Sequence, residues 1–136
     1  MDYVYLIMWN DFEEYILNIA SDNQVKIAEV GVGKFDMIAN ELSQHENIDL
    51  IKTDILPKDS SVIKDDITNP DLELYMDVDI IYSIRPPSEL QPYLVNLALE
   101  INSQLIIKPL TNEDLNTGRV KMKLKNFKKA SFYVLR

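Results

Sequence analysis

The sequence predicts an α/β fold in three layers: a mostly parallel sheet with helices on both faces and an antiparallel hairpin at its C-terminal edge. Three observations predict it. Short apolar runs of strand length alternate with segments whose apolar residues recur at helical spacing. Two of the chain's three glycines, Gly31 and Gly33, stand directly after the first such run. The end of the chain, from Arg119, reads as two further strands.

The elements follow in order. "DFEEYILNIA" sets Phe12, Tyr15, Ile16, Ile19 and Ala20 on one helical face, with Asp11 and Glu14 as a capping-box pair at its entrance. The preceding "YVYLIMW" is apolar and aromatic, suited to the core or to a dimer contact. "VKIAEV" is a short buried strand ending at Val30, and "FDMIANELSQ" a helix, which leaves the glycines in the turn between them. "IDLIKTDI" is a second strand, "SSVIKDDI" a weaker third and "DVDIIYSI" a strongly apolar fourth. "SELQPYLVNLALEI" places Leu90, Tyr93, Leu94, Leu97, Ala98 and Ile101 on one face of a helix opened by Ser88 with Gln91 three residues on. "SQLIIKPL" is a fifth strand. In the tail, Val120, Met122 and Leu124 alternate with Arg119, Lys121, Lys123 and Lys125, and "SFYVL" forms the hairpin's second strand.

At 136 residues the chain fits one domain, 1–136, with a core of its own. No apolar run approaches the ~20 residues of a membrane span, and the start carries neither a basic leader nor a small-residue cleavage site. The expected location is therefore cytoplasmic. Zero cysteines exclude disulfides and thiolate metal sites, and the single histidine, His45, excludes a multi-histidine centre. The net charge is −8, yet residues 119–136 hold seven of the 14 basic residues and no acid. The acidic body disfavours general nucleic-acid binding. The basic tail reads as an edge strand guarded by lysine, in preference to an electrostatic foot for RNA or an acidic partner.

In a parallel sheet, ligands bind at the carboxyl ends of the strands where the strand order reverses. Glycines in the first strand-to-helix turn allow unusual backbone angles and let a ligand approach without meeting a Cβ. Amides at the helix start are then expected to face that ligand. Asp54 closes the second strand about 20 residues on, where a carboxylate can hold both ribose hydroxyls. Glu29, Asp36, Asp54, Asp65 and Asp66 gather near this edge. Two unit charges ~8 Å apart at an effective dielectric of ~20 interact by about 2 kcal/mol, so such a set works against an anion and favours a cation. Asp36 also occupies the place where a dinucleotide fingerprint wants a small residue, which disfavours NAD. Asp65 and Asp66 offer a hard cation such as magnesium an alternative use, with no further ligand spacing behind it.

"EVGVG" resembles the first motif of class I S-adenosylmethionine-dependent methyltransferases, E/D-x-G-x-G-x-G, with Glu29, Gly31 and Gly33 matching and Phe35 in place of the third glycine. The resemblance implies a Rossmann-like domain binding S-adenosylmethionine. The glycine loop would cradle its methionine part, Asp54 its ribose, and Asp65 or Asp66 its adenine. The whole sequence, through "MWNDF", "EVGVGKF", "TDI", "DDITNP" and "IYSIRPP", also resembles an uncharacterised archaeal protein family, number 0146, which implies a fold and no reaction.

The loop after the fourth strand, "YSIRPPSEL", is expected on the substrate side. Pro86 and Pro87 fix an extended backbone and hold Ser83 and Arg85 beside the cofactor. Arg85 can bind a carboxylate or phosphate, or neutralise the acidic crevice. The loop departs from the N/D-P-P-Y/F of methyltransferases acting on base or amide nitrogen. The functions implied are a methyltransferase on an unknown acceptor or a non-catalytic module that senses a ligand or binds a partner.

Overall fold

A computed structural model of the chain describes residues 3–109 and 115–136. Seven strands, β1 (Val25–Val30), β2 (Ile48–Asp54), β3 (Ile63–Lys64), β4 (Ile80–Ile84), β5 (Gln104–Lys108), β6 (Lys123–Phe127) and β7 (Ala130–Leu135), form one sheet. Its order is β3-β2-β1-β4-β5-β7-β6. The first five strands are parallel, and β7 runs antiparallel to both β5 and β6. The order therefore reverses between β1 and β4, whose ends the glycine loop and the diproline loop extend.

Alternation along the strands feeds two cores. Ile27, Ile80, Tyr82, Ile84 and Ile106 face one side and pack with Trp9, Phe12, Ile16, Ile38 and Leu42 from α1 (Tyr3–Ala20) and α2 (Met37–Leu42). Ala28, Val30, Ile81, Leu105 and Ile107 face the other, against Leu94, Val95, Leu97 and Ala98 of α3 (Gln91–Ile101) and Tyr75 of the 3₁₀ turn Leu72–Tyr75. Among the described residues, no helix is long and apolar enough to cross a membrane.

Four local expectations are corrected. The first helix starts at Tyr3, because Tyr5 and Trp9 continue the stripe of Phe12, Ile16 and Ala20. Asp11 and Glu14 consequently lie mid-helix and cap nothing. Asp11 Oδ2 accepts the Lys129 amide at 2.9 Å and Glu14 pairs with Lys128 at 2.6 Å, so they dock the β6–β7 turn. The third strand shrinks to Ile63–Lys64, since Asp59 and Asp66 each turn the backbone two residues ahead, through Ser61 and Thr68.

Ser88 likewise caps no helix. Gln91 is buried and bridges loops, its Nε2 donating to Pro86 O (3.2 Å) and its Oε1 accepting the Asn116 amide (2.6 Å). Finally, the tail's alternation starts too early. Val120 and Met122 pack on the α3-side core before β6 begins, Gly118 adopts φ +66°, and Leu124 lies 52% exposed. The hairpin itself is present, with β6 as the sheet edge.

Candidate functional site

A cleft of about 450 Å³ opens at the carboxyl ends of the strands, a size within the usual range for small-molecule sites. Its lining includes Gly31 from the glycine loop, Asp54 and Ile55 after β2, Asp65 to Thr68 after β3, and Ser83, Arg85, Pro86 and Pro87 around the β4 end. Eight of the ten residues expected at the site thus meet on one cavity. Glu29 and Gly33 do not line it.

The glycine turn is built by its backbone. Gly31 and Gly33 adopt φ +72° and +57°, angles that cost an L-residue roughly 1–2 kcal/mol. A Cβ on Gly31 would come 3.9 Å from Ser83 Oγ, and one on Gly33 would meet nothing within 4 Å. Conformation, not crowding, therefore selects glycine at both positions. The amides of Gly31 and Val32 donate to Thr53 O (2.9 and 3.2 Å), and that of Gly33 to Asp54 Oδ2 (2.8 Å). β2 thus consumes the amides of the glycine turn itself. A phosphate-cradling loop leaves such donors free, so the turn suits a ligand with no anion over it. Phe35 does not plug the turn; it packs on Trp9 at 4.7 Å between ring centroids.

The carboxylates are differently engaged. Asp54 also accepts the Leu56 amide on Oδ1 at 2.9 Å, so its two oxygens are fixed in place, each with a lone pair to spare. Asp65 accepts the Asp71 amide on Oδ1 (2.9 Å), and its Oδ2 lies 3.0 Å from the Tyr75 hydroxyl, itself 3.0 Å from Thr53 Oγ1. With one proton, Tyr75 donates to the carboxylate and leaves Thr53 to donate in turn. Burial chiefly, and then the Asp65 charge, hold the Tyr75 hydroxyl well above its ordinary pKa against the opposing Thr53 bond. Asp66 accepts from Thr68 Oγ1 (2.7 Å) and Thr68 N (2.9 Å) on Oδ1 alone, and these bonds hold it below the usual carboxylate range. Asp36 instead pairs with Lys58, outside the cleft lining. Among the described residues no group of three or more acidic, histidine or cysteine side chains could hold a metal ion.

Glu29 lies beneath the loop, fully buried on the α1 side beside its strand partner Tyr82. Among the described residues, neither carboxylate oxygen has a hydrogen bond, and neither do the Tyr82 hydroxyl and Trp9 Nε1. Burial is the main reason its pKa is pushed up to about 8, with the nearby Tyr82 hydroxyl opposing and Asp36 adding to the rise.

At the β4 end, Ser83 Oγ donates to Val30 O at 2.8 Å, tying β4 to the glycine turn. Arg85 takes φ +54°, donates its amide to Lys108 O at 2.7 Å, and lays its guanidinium over Phe35 (5.2 Å) and Trp9 (5.9 Å). It forms no ion pair with the cleft acids among the described residues. Sequence reasoning missed Trp9, Thr53, Tyr75 and Lys108. Trp9 carried a signal, since its spacing to Phe12 and Ile16 extends the helix and points it at the same face.

The sheet order, the switch point between β1 and β4 and the antiparallel edge define a Rossmann-like fold of the methyltransferase type. One similar solved structure is an S-adenosyl-L-methionine methyl transferase from Silicibacter pomeroyi DSS-3, with TM-score 0.64, 12% identity, and 98% of this chain and 96% of that chain covered. The chain belongs to the uncharacterised protein family UPF0146, which matches residues 9–136. The UPF0146 protein of Methanothermobacter thermautotrophicus is 42% identical over 93% of either chain. That of Methanocaldococcus jannaschii is 44% identical, over 89% of this chain and 91% of the relative.

Proposed function

We propose that residues 1–136 form one Rossmann-like domain that binds S-adenosylmethionine, or a related adenosyl ligand, in this cleft and acts as a methyltransferase on a second substrate. One observation carries the reading: the glycine turn offers a bare face at Gly31 while its own amides are bound to β2. Such a surface admits a ligand closely and gives an anion nothing to hold.

The residues suit the ligand's parts. Asp54, oriented by the Gly33 and Leu56 amides, would accept from the ribose hydroxyls. Asp66 keeps Oδ2 free of hydrogen bonds among the described residues and would take the adenine amino group, between the apolar side chains of Ile55 and Ile67. Asp65, both of whose oxygens are engaged, would position that loop. When bound, the ligand supplies a methyl group on a positive sulfur. The cleft contributes placement, which is most of what methyl transfer asks of a protein.

A second reading, a non-catalytic module that senses the ligand or binds a partner, is favoured by Ser83, whose hydroxyl is committed to Val30 O. Thermal-shift and calorimetric titrations with S-adenosylmethionine, S-adenosylhomocysteine, NAD and ATP decide the ligand. Stabilisation by the two adenosyl-sulfur ligands is expected. Stabilisation by NAD alone overturns the reading, and no shift with any of them favours the partner-binding module.

A further inference from the structure

We propose that Arg85 and Lys108 form an oxyanion site at the rim of the cleft, which receives a carboxylate or phosphate of the second substrate. This deepens the methyltransferase reading and rests on it for the substrate's identity.

The two residues stand at the carboxyl ends of adjacent strands. Ile84 and Lys108 are partners in the β4–β5 register, and the Arg85 amide is bonded to Lys108 O at 2.7 Å. Like Ile84 and Ile106, Lys108 falls on the α1 side by alternation, and Arg85 reaches that side too, over Trp9 and Phe35. Arg85 at the same time lines the cleft. Neither cation pairs with an acid among the described residues, in a chain with 22 acidic residues to 14 basic ones. Placing two cations together with no counter-charge among the described residues costs free energy, and their proximity shows in Lys108, held below its ordinary pKa first by burial and then by Arg85. Nor is Arg85 loosely placed. A left-handed backbone at an arginine is strained and persists only where its surroundings hold it. Here the bond to Lys108 O, the two prolines that follow and the aromatic faces do so. A fixed planar fork beside a second cation matches an oxyanion.

The test is a titration of the full chain with inorganic phosphate and, separately, acetate at constant ionic strength, followed by NMR at the Arg85 and Lys108 signals. The expected result is a saturable shift at both residues, weakened at least five-fold in both Arg85→Gln and Lys108→Gln. The stronger of the two anions names the source. Lys108→Gln leaves the Arg85 backbone intact and guards against misfolding of the other variant. The titration is repeated with saturating S-adenosylhomocysteine, whose own binding is measured by calorimetry. Retained phosphate binding supports the assignment to the second substrate; competition between the two would mean that the pair holds the adenosyl ligand's own carboxylate and would overturn it. Shifts confined to Lys123 and Lys125, no saturation, or binding by both variants as tight as the parent's also overturn it. A failure of S-adenosylhomocysteine to bind sinks the methyltransferase reading alone, because the anion titration is read without it.

Discussion

The Gly33 amide donates to Asp54 Oδ2 at 2.8 Å, so the residue expected to hold a ribose also holds the turn that faces it. With the Leu56 bond on Oδ1, the carboxylate closes the ends of β1 and β2 together. Asp54→Ala is therefore expected to act twice. Losing hydrogen bonds to a charged group costs about 1.5–3 kcal/mol, which denaturant unfolding of the free protein will show. Adenosyl affinity should fall by at least ten-fold in calorimetry. A variant as stable as the parent that binds as well would remove Asp54 from both roles.

The two glycines separate conformation from contact. Gly31→Ala and Gly33→Ala should each lower stability by roughly 1–2 kcal/mol, the cost of a left-handed L-residue, because neither new Cβ crowds a neighbour closer than 3.9 Å. Only Gly31 lines the cleft. Ligand affinity should thus drop in Gly31→Ala and hold in Gly33→Ala. Equal losses in both would mean that the turn's shape, rather than its bare surface, governs binding.

Which parts of this site the sequence discloses depends on the range of the interactions. Gly31, Asp54 and Asp66 sit at strand ends, and strand ends follow from local apolar runs and turn residues. The role of Arg85 depends on Trp9 and Phe35 meeting it across the fold, and no local pattern reports that. Asp65 and Asp66 are indistinguishable in "KDDI", yet Tyr75 and Asp71 engage one and Thr68 turns the other. The tail misleads for a different reason. Its alternation begins at Arg119, but Thr117 Oγ1 donates to Val120 O and Gly118 turns the chain, so pairing starts only at Lys123.

The same tail provides a third prediction. Lys123 and Lys125 lie on β6, exposed at the sheet's outer edge, while Lys125 also reaches over Tyr15 at 5.9 Å. Charged residues on an unpaired edge oppose strand addition by another chain. Lys123→Thr/Lys125→Thr should leave stability within about 0.5 kcal/mol and increase self-association in light scattering. Retained monodispersity together with lost RNA binding in a filter assay would reverse the preference and make the tail a nucleic-acid contact.

Glu29 gives the protein a stability that falls with pH across the neutral range. In the unfolded chain its carboxyl releases its proton near the ordinary 4.5, whereas burial in the fold pushes it up to about 8. Between those values the folded state holds a proton that the unfolded state has lost. Raising the pH therefore favours unfolding, by about 1.4 kcal/mol per pH unit at most. The contribution is fully present below 4.5 and gone above about 8. Asp36, Asp59 and Asp66, held low by their partners, act in the opposite sense and only in acid, outside this window. Glu13, raised by partial burial and by Glu41, acts in the same sense as Glu29 and is common to parent and variant. Unfolding free energies from pH 5 to 8 should therefore slope downward in the parent and clearly less steeply in Glu29→Gln. The amide keeps the shape and cannot ionise, so the slope is the readout even if the variant is weaker throughout. Parallel curves would show that Glu29 ionises normally within the fold, which requires a counter-charge or water beside Tyr82 and Trp9.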